Sequence, residues 1–375
     1  MGTSETPQPD VMVVGGGPAG LAAALAAADQ GARVLLADNA VELGGQLVKQ
    51  THKFFGSGDL YAGARGLEIA RLLGEKAQHE PNVEILLETQ VLGRYPDGVL
   101  TMERRLGTGT RYLKAKPWRL VVATGAQERP LAFPGNDLPG IYGAGAIQTL
   151  MNLHGVRPGR RALVVGAGNI GLIVSYQLRQ AGVEVAAVVE AAPVIGGYAV
   201  HAAKLRRLGV PILTSHSVKE AHGRPELEGV TVWKLDEAWR GIPGTEVRFE
   251  VGVLGVAVGL SPLAELLWQA GCRMLWVPEL GGHVPWRDAD QQTSVPGVYV
   301  AGDVAGVEEA SSAMLSGRIA GAAAAASVGP GHERSRSGLD WREVVSRARA
   351  RLDELRRGPA GERIRRGLAR LGEAA

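Results

Sequence analysis

A chain of 375 residues, 45% of them apolar, is long enough for two domains of ordinary size, each with its own core. Its single cysteine, Cys272, excludes an internal disulfide, a Cys-x-x-Cys redox pair, a cysteine-ligated iron–sulfur cluster and the usual structural zinc site, so no metal site is expected and redox chemistry needs an organic cofactor. The net charge of +3 owes much to arginines beyond residue 330 and does not imply nucleic-acid binding, and no apolar run reaches membrane-spanning length.

The polar leader from Met1 to Asp10 has no signal-peptide apolar region, so a cytoplasmic protein is expected. The first predicted strand is Val11–Val14, an apolar run of the kind buried on both faces of a parallel sheet. It leads into Gly15-Gly16-Gly17-Pro18-Ala19-Gly20 and then an Ala/Leu-rich helical stretch. Strand, glycine turn and helix in that order form a phosphate cradle. Gly15 makes the turn, Gly17 lets a pyrophosphate approach the backbone, and Gly20 permits close packing of helix on strand. Amides at the helix start face the phosphate. A second strand, Ala32–Ala37, ends at Asp38, 23 positions after Gly15, the spacing of a carboxylate that accepts ribose hydroxyls. Gly44-Gly45 and a polar segment, Gln46–Ser57, follow; a later apolar run, Leu120–Ala123, closes in Thr124-Gly125.

The same unit is then used again. Ala162–Val165 leads into Gly166-Ala167-Gly168-Asn169-Ile170-Gly171, a helical run to Gln180, and a strand from Val183 that ends at Glu190. The three glycines recur 151 positions after the first set, and Asp38, Gly44 and Gly45 recur 152 positions on as Glu190, Gly196 and Gly197. Val253–Gly259 matches Leu120–Gly125 as a later strand with a small-residue turn. Near the end, Val298-Tyr299-Val300-Ala301-Gly302-Asp303 is a strand closed by Ala-Gly-Asp, followed by a small-residue helix over about Ser311–Ala326.

With these elements the chain resembles the flavoproteins with two dinucleotide-binding domains, which include glutathione and thioredoxin reductases. The resemblance covers roughly residues 10–328 and implies an α/β fold of two Rossmann-like three-layer domains, the second inserted into the first. It implies an FAD-binding domain over 9–135 and 285–330, an inserted NAD(H) or adenine-nucleotide domain over 136–284, and a linker with an amphipathic helical tail over 331–375. Carried over by position, Gly15, Gly17, Pro18, Ala19 and Gly20 hold the FAD pyrophosphate, Asp38 the adenosine ribose, and Gly302 and Asp303 the ribityl-phosphate region. Gly45, Gln46, Val91, Thr124 and Gly125 complete the expected FAD contacts. Gly166, Gly168, Asn169, Ile170, Gly171, Glu190 and Gly259 form the second site. There a carboxylate at Glu190 accepts ribose hydroxyls and repels a 2′-phosphate, favouring NAD(H), and the pocket also suits ATP or ADP. Neither place where disulfide-reducing relatives carry their cysteines has one here, which excludes disulfide reduction. His52 or Lys53, near where relatives place the isoalloxazine, either polarises the flavin N1–C2 edge or N5, or caps a loop or meets a partner chain.

The run Gly44-Gly45-Gln46-Leu47 and the linker from Arg129-Pro130 to Gly140 narrow the resemblance to α-type subunits of heteromeric sarcosine oxidase, hydroxyproline and proline dehydrogenases, opine oxidase and hydrogen cyanide synthase. That implies another flavoprotein subunit as partner, with room in such assemblies for a small iron–sulfur subunit, where any cluster would have to lie, and for FMN at a subunit interface. The expected function is electron transfer within an amine or imino-acid dehydrogenase or oxidase. The alternatives are a stand-alone NADH-dependent flavin reductase serving a quinone, ferredoxin or dye, and a structural subunit with ATP in the second site.

Beyond a polar linker, His332–Gly338, Asp340 reads as a helix cap with Glu343 three residues on, and Leu339 against Val344 as its staple. Trp341, Val344, Val345, Ala348, Leu352 and Leu355 recur at helical spacing until Gly358-Pro359. That apolar stripe must be buried, on the chain's own body or on a partner. Cys272, after a helical stretch over Pro262–Ala270, reads as an ordinary buried thiol.

Overall fold

The computed structural model describes residues 6–54, 58–330, 336, 338–358 and 361–373. They divide into two compact units, Met1–Gln127 with Ser261–Ala375, and Glu128–Leu260.

In the first unit, five parallel strands lie in the order Val298–Val300, Arg119–Val122, Val11–Val14, Val34–Ala37, Val83–Leu86. The central runs are apolar on both faces because both faces are covered, while the edge strand Val83–Leu86 exposes Glu84. On one side lie the helices Pro18–Asp29, Gly66–Gln78 and Ala310–Ala326. The first and last approach so closely that a Cβ on Gly317 or Gly321 would sit 2.1 Å from the carbonyl oxygen of Ala19 or Ala23. Small residues four apart on Ala310–Ala326 are what permit that approach. On the other side, a three-stranded antiparallel meander over Thr89–Arg94, Leu100–Leu106 and Gly109–Ala115 buries Leu100, Met102 and Ala115 against Met12, Val14 and Val122. The resemblance specified three layers, but the residue pattern itself did not point to this meander.

The second unit repeats the plan with parallel strands in the order Ile212–Thr214, Glu184–Glu190, Arg161–Val165, Val253–Val256, Ile141–Gly143. The helices Asn169–Gln180 and Ala199–Arg207 cover one face. An antiparallel sheet, His216–His222, Gly229–Lys234 and Val247–Glu250, covers the other with Val218, Val230 and Val232.

The unit boundaries differ from the expected 135 and 285. Residues 261–284 belong to the first unit, where Leu266, Leu267, Ala270 and Cys272 pack with Met12, Val14 and Leu120. Residues 128–135 belong to the second, with Leu131 and Phe133 against Leu163 and Val165. Apolar spacing shows that such a segment is buried and leaves open against which sheet.

The tail stripe packs on its own body: Val345, Ala348 and Leu352 join the core beneath Ala310–Ala326. Asp340 caps the helix Trp341–Leu355 through a 2.8 Å bond from the Arg342 amide, while the Glu343 carboxylate engages Arg347. A further helix, Glu362–Glu373, which the sequence reading did not separate, buries Ile364 and Leu371 against Val277, Leu280 and Val284. Of the expected linker, residues 332–335 and 337 lie outside the described residues, as does Pro359. Among the described residues no helix is long and apolar enough to cross a membrane.

Candidate functional site

The first glycine turn separates its glycines by function. At Gly15 the backbone takes φ +107°, and an added Cβ would lie 2.3 Å from the Ala123 carbonyl oxygen; at Gly20 it would lie 1.7 Å from that of Gly15. Both positions exclude a side chain because backbone already fills the space. A Cβ on Gly17 would meet nothing nearer than the Gly45 Cα at 3.9 Å, on ordinary extended backbone with φ −74°. Gly17 is therefore left open, with room for another group to approach its backbone. Pro18 fills the first helical position, where no amide is missed. Ala19 packs beside Gly302, where a Cβ would come within 2.7 Å of its methyl group.

Asp38 stands over this turn, held by backbone amides. Its Oδ2 accepts from the Gly16 amide and its Oδ1 from the Ala40 amide at 2.7 Å. Each carboxylate oxygen keeps lone-pair capacity for a further donor. The Gly44 amide donates to the Gly16 carbonyl at 2.8 Å, and Gly45 is so close to Gly17 that an added Cβ would lie 2.8 Å from its Cα. Gln46 is exposed in the short helix Gly45–Lys49. The Thr89 amide donates to the Asp38 carbonyl at 2.8 Å, which brings the strand carrying half-buried Val91 to the acid's loop.

At the sheet's far side, the Thr124 hydroxyl donates to the Leu263 carbonyl at 2.7 Å and the Leu263 amide to the Gly125 carbonyl at 3.0 Å. The Gly302 amide donates to Ser316 Oγ at 3.0 Å from a φ of +73°, which glycine alone adopts freely. Asp303 Oδ1 accepts from the Glu308 amide at 3.3 Å, and burial raises its carboxyl to about 6, with the neighbouring Glu308 carboxylate adding to the rise.

The second turn copies the first down to its hydrogen bonds. A Cβ on Gly166 would lie 2.2 Å from the Ala257 carbonyl oxygen and one on Gly171 1.9 Å from that of Gly166, whereas Gly168 has nothing within 4 Å. Glu190 Oε2 accepts from the Ala167 amide at 2.7 Å and Oε1 from the Ala192 amide at 2.9 Å. Asn169 Oδ1 accepts from the Tyr198 amide at 2.8 Å, Ile170 is exposed, and the Gly259 carbonyl accepts from the Arg129 amide at 3.0 Å. The amides of Ala40 and Ala192, two residues after each acid, were missed by sequence reasoning; the repeat of Asp38-Asn39-Ala40 as Glu190-Ala191-Ala192 was the available signal.

Lys53 is exposed and bridged by backbone to Arg65, and the His52 ring stacks on Phe54 at 5.5 Å. Phe55, Gly56 and Ser57 of that segment lie outside the described residues. Cys272 is buried with its Sγ 3.4 Å from Thr293 Oγ1, and burial pushes its thiol up.

Residues 9–327 match the family described as pyridine nucleotide-disulphide oxidoreductase. The chain is 34% identical over 333 residues to the alpha subunit of sarcosine oxidase from Corynebacterium sp. (strain P-1), covering 85% of this chain and 33% of that protein. It therefore spans about a third of that relative's length. It is 32% identical to the A subunit of opine oxidase from Rhizobium meliloti (strain 1021), over 85% of this chain and 71% of the relative. To the HcnB subunit of hydrogen cyanide synthase from Pseudomonas protegens it is 31% identical, over 82% and 68%. Among solved structures, L-proline dehydrogenase from P. horikoshii superposes with a TM-score of 0.64 at 25% identity, over 85% of this chain and 56% of that one. Thioredoxin reductase from T. acidophilum, at 23% identity and a TM-score of 0.69 over 85% and 98%, shares the fold.

Proposed function

We propose a function for a chain that belongs to the pyridine nucleotide-disulphide oxidoreductase family. It is an oxidoreductase homologous to subunits of sarcosine oxidase, opine oxidase and hydrogen cyanide synthase. Our reading is an FAD-binding, electron-transferring α-type subunit of a heteromeric amine or imino-acid dehydrogenase or oxidase.

The observation that carries it is the first turn: Gly15 and Gly20 jammed against backbone, Gly17 left open, and a carboxylate fixed above them by two amides. Those groups fit a dinucleotide. The open backbone at Gly17 and the helix start at Pro18 and Ala19 would receive the pyrophosphate, where amide dipoles favour negative charge. Asp38 would accept from the ribose hydroxyls, with Gly45, Gln46 and Val91 along the adenosine. Thr124, Gly125, Gly302 and Asp303 would orient the ribityl end. When bound, FAD supplies reversible acceptance of two electrons and their release one at a time.

Partner subunits are part of the reading because the named relatives are subunits. With Cys272 alone and buried, any iron–sulfur cluster would belong to a companion chain, and the cysteine pair that disulfide reduction needs has no counterpart in this sequence. An FMN at a subunit interface fits the same arrangement. The Glu190 carboxylate, held by Ala167 and Ala192, supports an unphosphorylated adenosine ribose in the second turn, from NAD(H), ATP or ADP. That intact second turn favours one alternative, a self-sufficient NADH-dependent flavin reductase.

Mass spectrometry of small molecules released from purified protein should find FAD; a colourless protein that gains neither colour nor thermal stability from added FAD would overturn the reading. Stopped-flow mixing of the FAD-loaded protein with NADH separates the two functions. Rapid bleaching supports the reductase, while no bleaching with NADH, but reduction when a copurified subunit is given its amine, supports the relay.

A further inference from the structure

We infer that the C-terminal helical pair clamps the loop after the Gly302–Asp303 turn, with Arg356 and Arg363 as positioning residues for the Asp303 carboxylate. The inference rests on the reading that Asp303 contacts FAD.

Residues 303–309 join that turn to the start of the helix Ala310–Ala326, and the tail grips them at two consecutive positions. Arg356, which ends the helix Trp341–Leu355, donates through Nε to Glu308 Oε2 at 3.0 Å and through Nη2 to Oε1 at 2.5 Å. The two side chains are only 14% and 11% exposed, so this is a forked pair largely withdrawn from water. Arg363, in the helix Glu362–Glu373, donates through Nη2 to the Val307 carbonyl at 3.0 Å and through Nη1 to the Glu279 carbonyl. From the far side of the loop, the Val307 amide donates to the Leu280 carbonyl at 2.9 Å, and Leu280 is itself buried under Ile364 and Leu371. The grip reaches the site through one bond, because the Glu308 amide is the donor to Asp303 Oδ1.

Glu308 also has a second claimant. Arg287 lines the same small cavity with Asp303 and Arg356, its Nη1 is buried with no hydrogen-bond partner among the described residues, and Glu308 is the opposing charge that acts on it. Without Arg356, the Glu308 carboxylate would be drawn to Arg287, carrying its amide away from Asp303. The fork of Arg356 thus holds Glu308, and with it the loop, in the position that serves Asp303. A local bond within residues 302–309 could not do this, since both guanidiniums come from elsewhere in the chain.

The test is FAD titration of the full-length apo protein, followed by flavin fluorescence and the visible spectrum, for wild type, Arg356→Met, Arg356→Lys and Arg363→Met. Expected is a tenfold or greater rise in the FAD dissociation constant for Arg356→Met and partial recovery in Arg356→Lys, which keeps the charge but not the fork. Arg363→Met, at an exposed position, should show a smaller rise and stays informative if Arg356→Met fails to fold. Val345→Ala, a tail-core control far from the loop in sequence, should lower the melting temperature yet keep FAD affinity within twofold. Wild-type affinity in both Met variants, or an equal loss in the Val345 control, overturns the clamp. Failure of wild type itself to take up FAD instead overturns the cofactor reading on which it rests.

Discussion

Single-methyl substitutions at Gly17 and Gly20 test whether the first glycine is kept for a ligand and the second for the fold. At Gly20 the new carbon would lie 1.7 Å from the Gly15 carbonyl oxygen, so the helix Pro18–Asp29 must move off the strand Val11–Val14. Forced overpacking of this kind costs about 1–3 kcal/mol and more when the obstacle is backbone. At Gly17 the nearest atom is 3.9 Å away and φ is −74°, so Gly17→Ala carries no clash and no strain. Its helix-cap cost of roughly 0.5–1 kcal/mol is offset by a comparable gain of about 0.4–1 kcal/mol from a less flexible unfolded chain. The methyl would instead stand where a phosphate approaches, and one charge-assisted bond lost is about 1.5–3 kcal/mol, or roughly 10- to 150-fold in affinity. Urea denaturation of the apo proteins and FAD titration of each variant measure the two effects. Expected are wild-type stability with weakened FAD binding for Gly17→Ala, and lost stability for Gly20→Ala. A Gly17→Ala protein that binds FAD like wild type would refute the reasoning.

Asp303→Asn tests the buried carboxyl. Its folded value of about 6 lies above the unfolded value of 3.8, so ionising it costs stability: nothing below pH 4, increasing as pH rises through 6, and up to about 3 kcal/mol above it. The FAD-free variant should therefore be more stable than wild type at pH 8 and equal to it at pH 4 in urea denaturation; the same difference at both pH values would contradict this. Glu190→Ser removes the carboxylate above the second turn and should raise the affinity for NADPH relative to NADH by about tenfold in equilibrium titrations, an unchanged ratio counting against a ribose contact. Lys53 is exposed, so Lys53→Met should leave the bound flavin's spectrum and midpoint potential unchanged. A potential shift beyond about 30 mV would place its charge at the flavin.

Both glycine turns were legible in the sequence because each is built within one strand, one turn and one helix. The needs of Gly15 and Gly20 are met or broken within a few residues of backbone, and the acid's spacing is set by the length of one helix and one strand. Duplication made the reading stronger, since Glu190 follows its glycines at nearly the spacing at which Asp38 follows the first set. Local pattern could not say on which sheet residues 261–284 pack, nor whether Val345, Ala348 and Leu352 cover this chain's core or another's. An apolar stripe specifies that it is buried and leaves its partner open. The surroundings of Asp303 were equally hidden: Glu308 is five residues away, but the guanidiniums that compete for it come from residues 287 and 356. Only the folded chain brings those charges together, because their position depends on which apolar surfaces pack against each other.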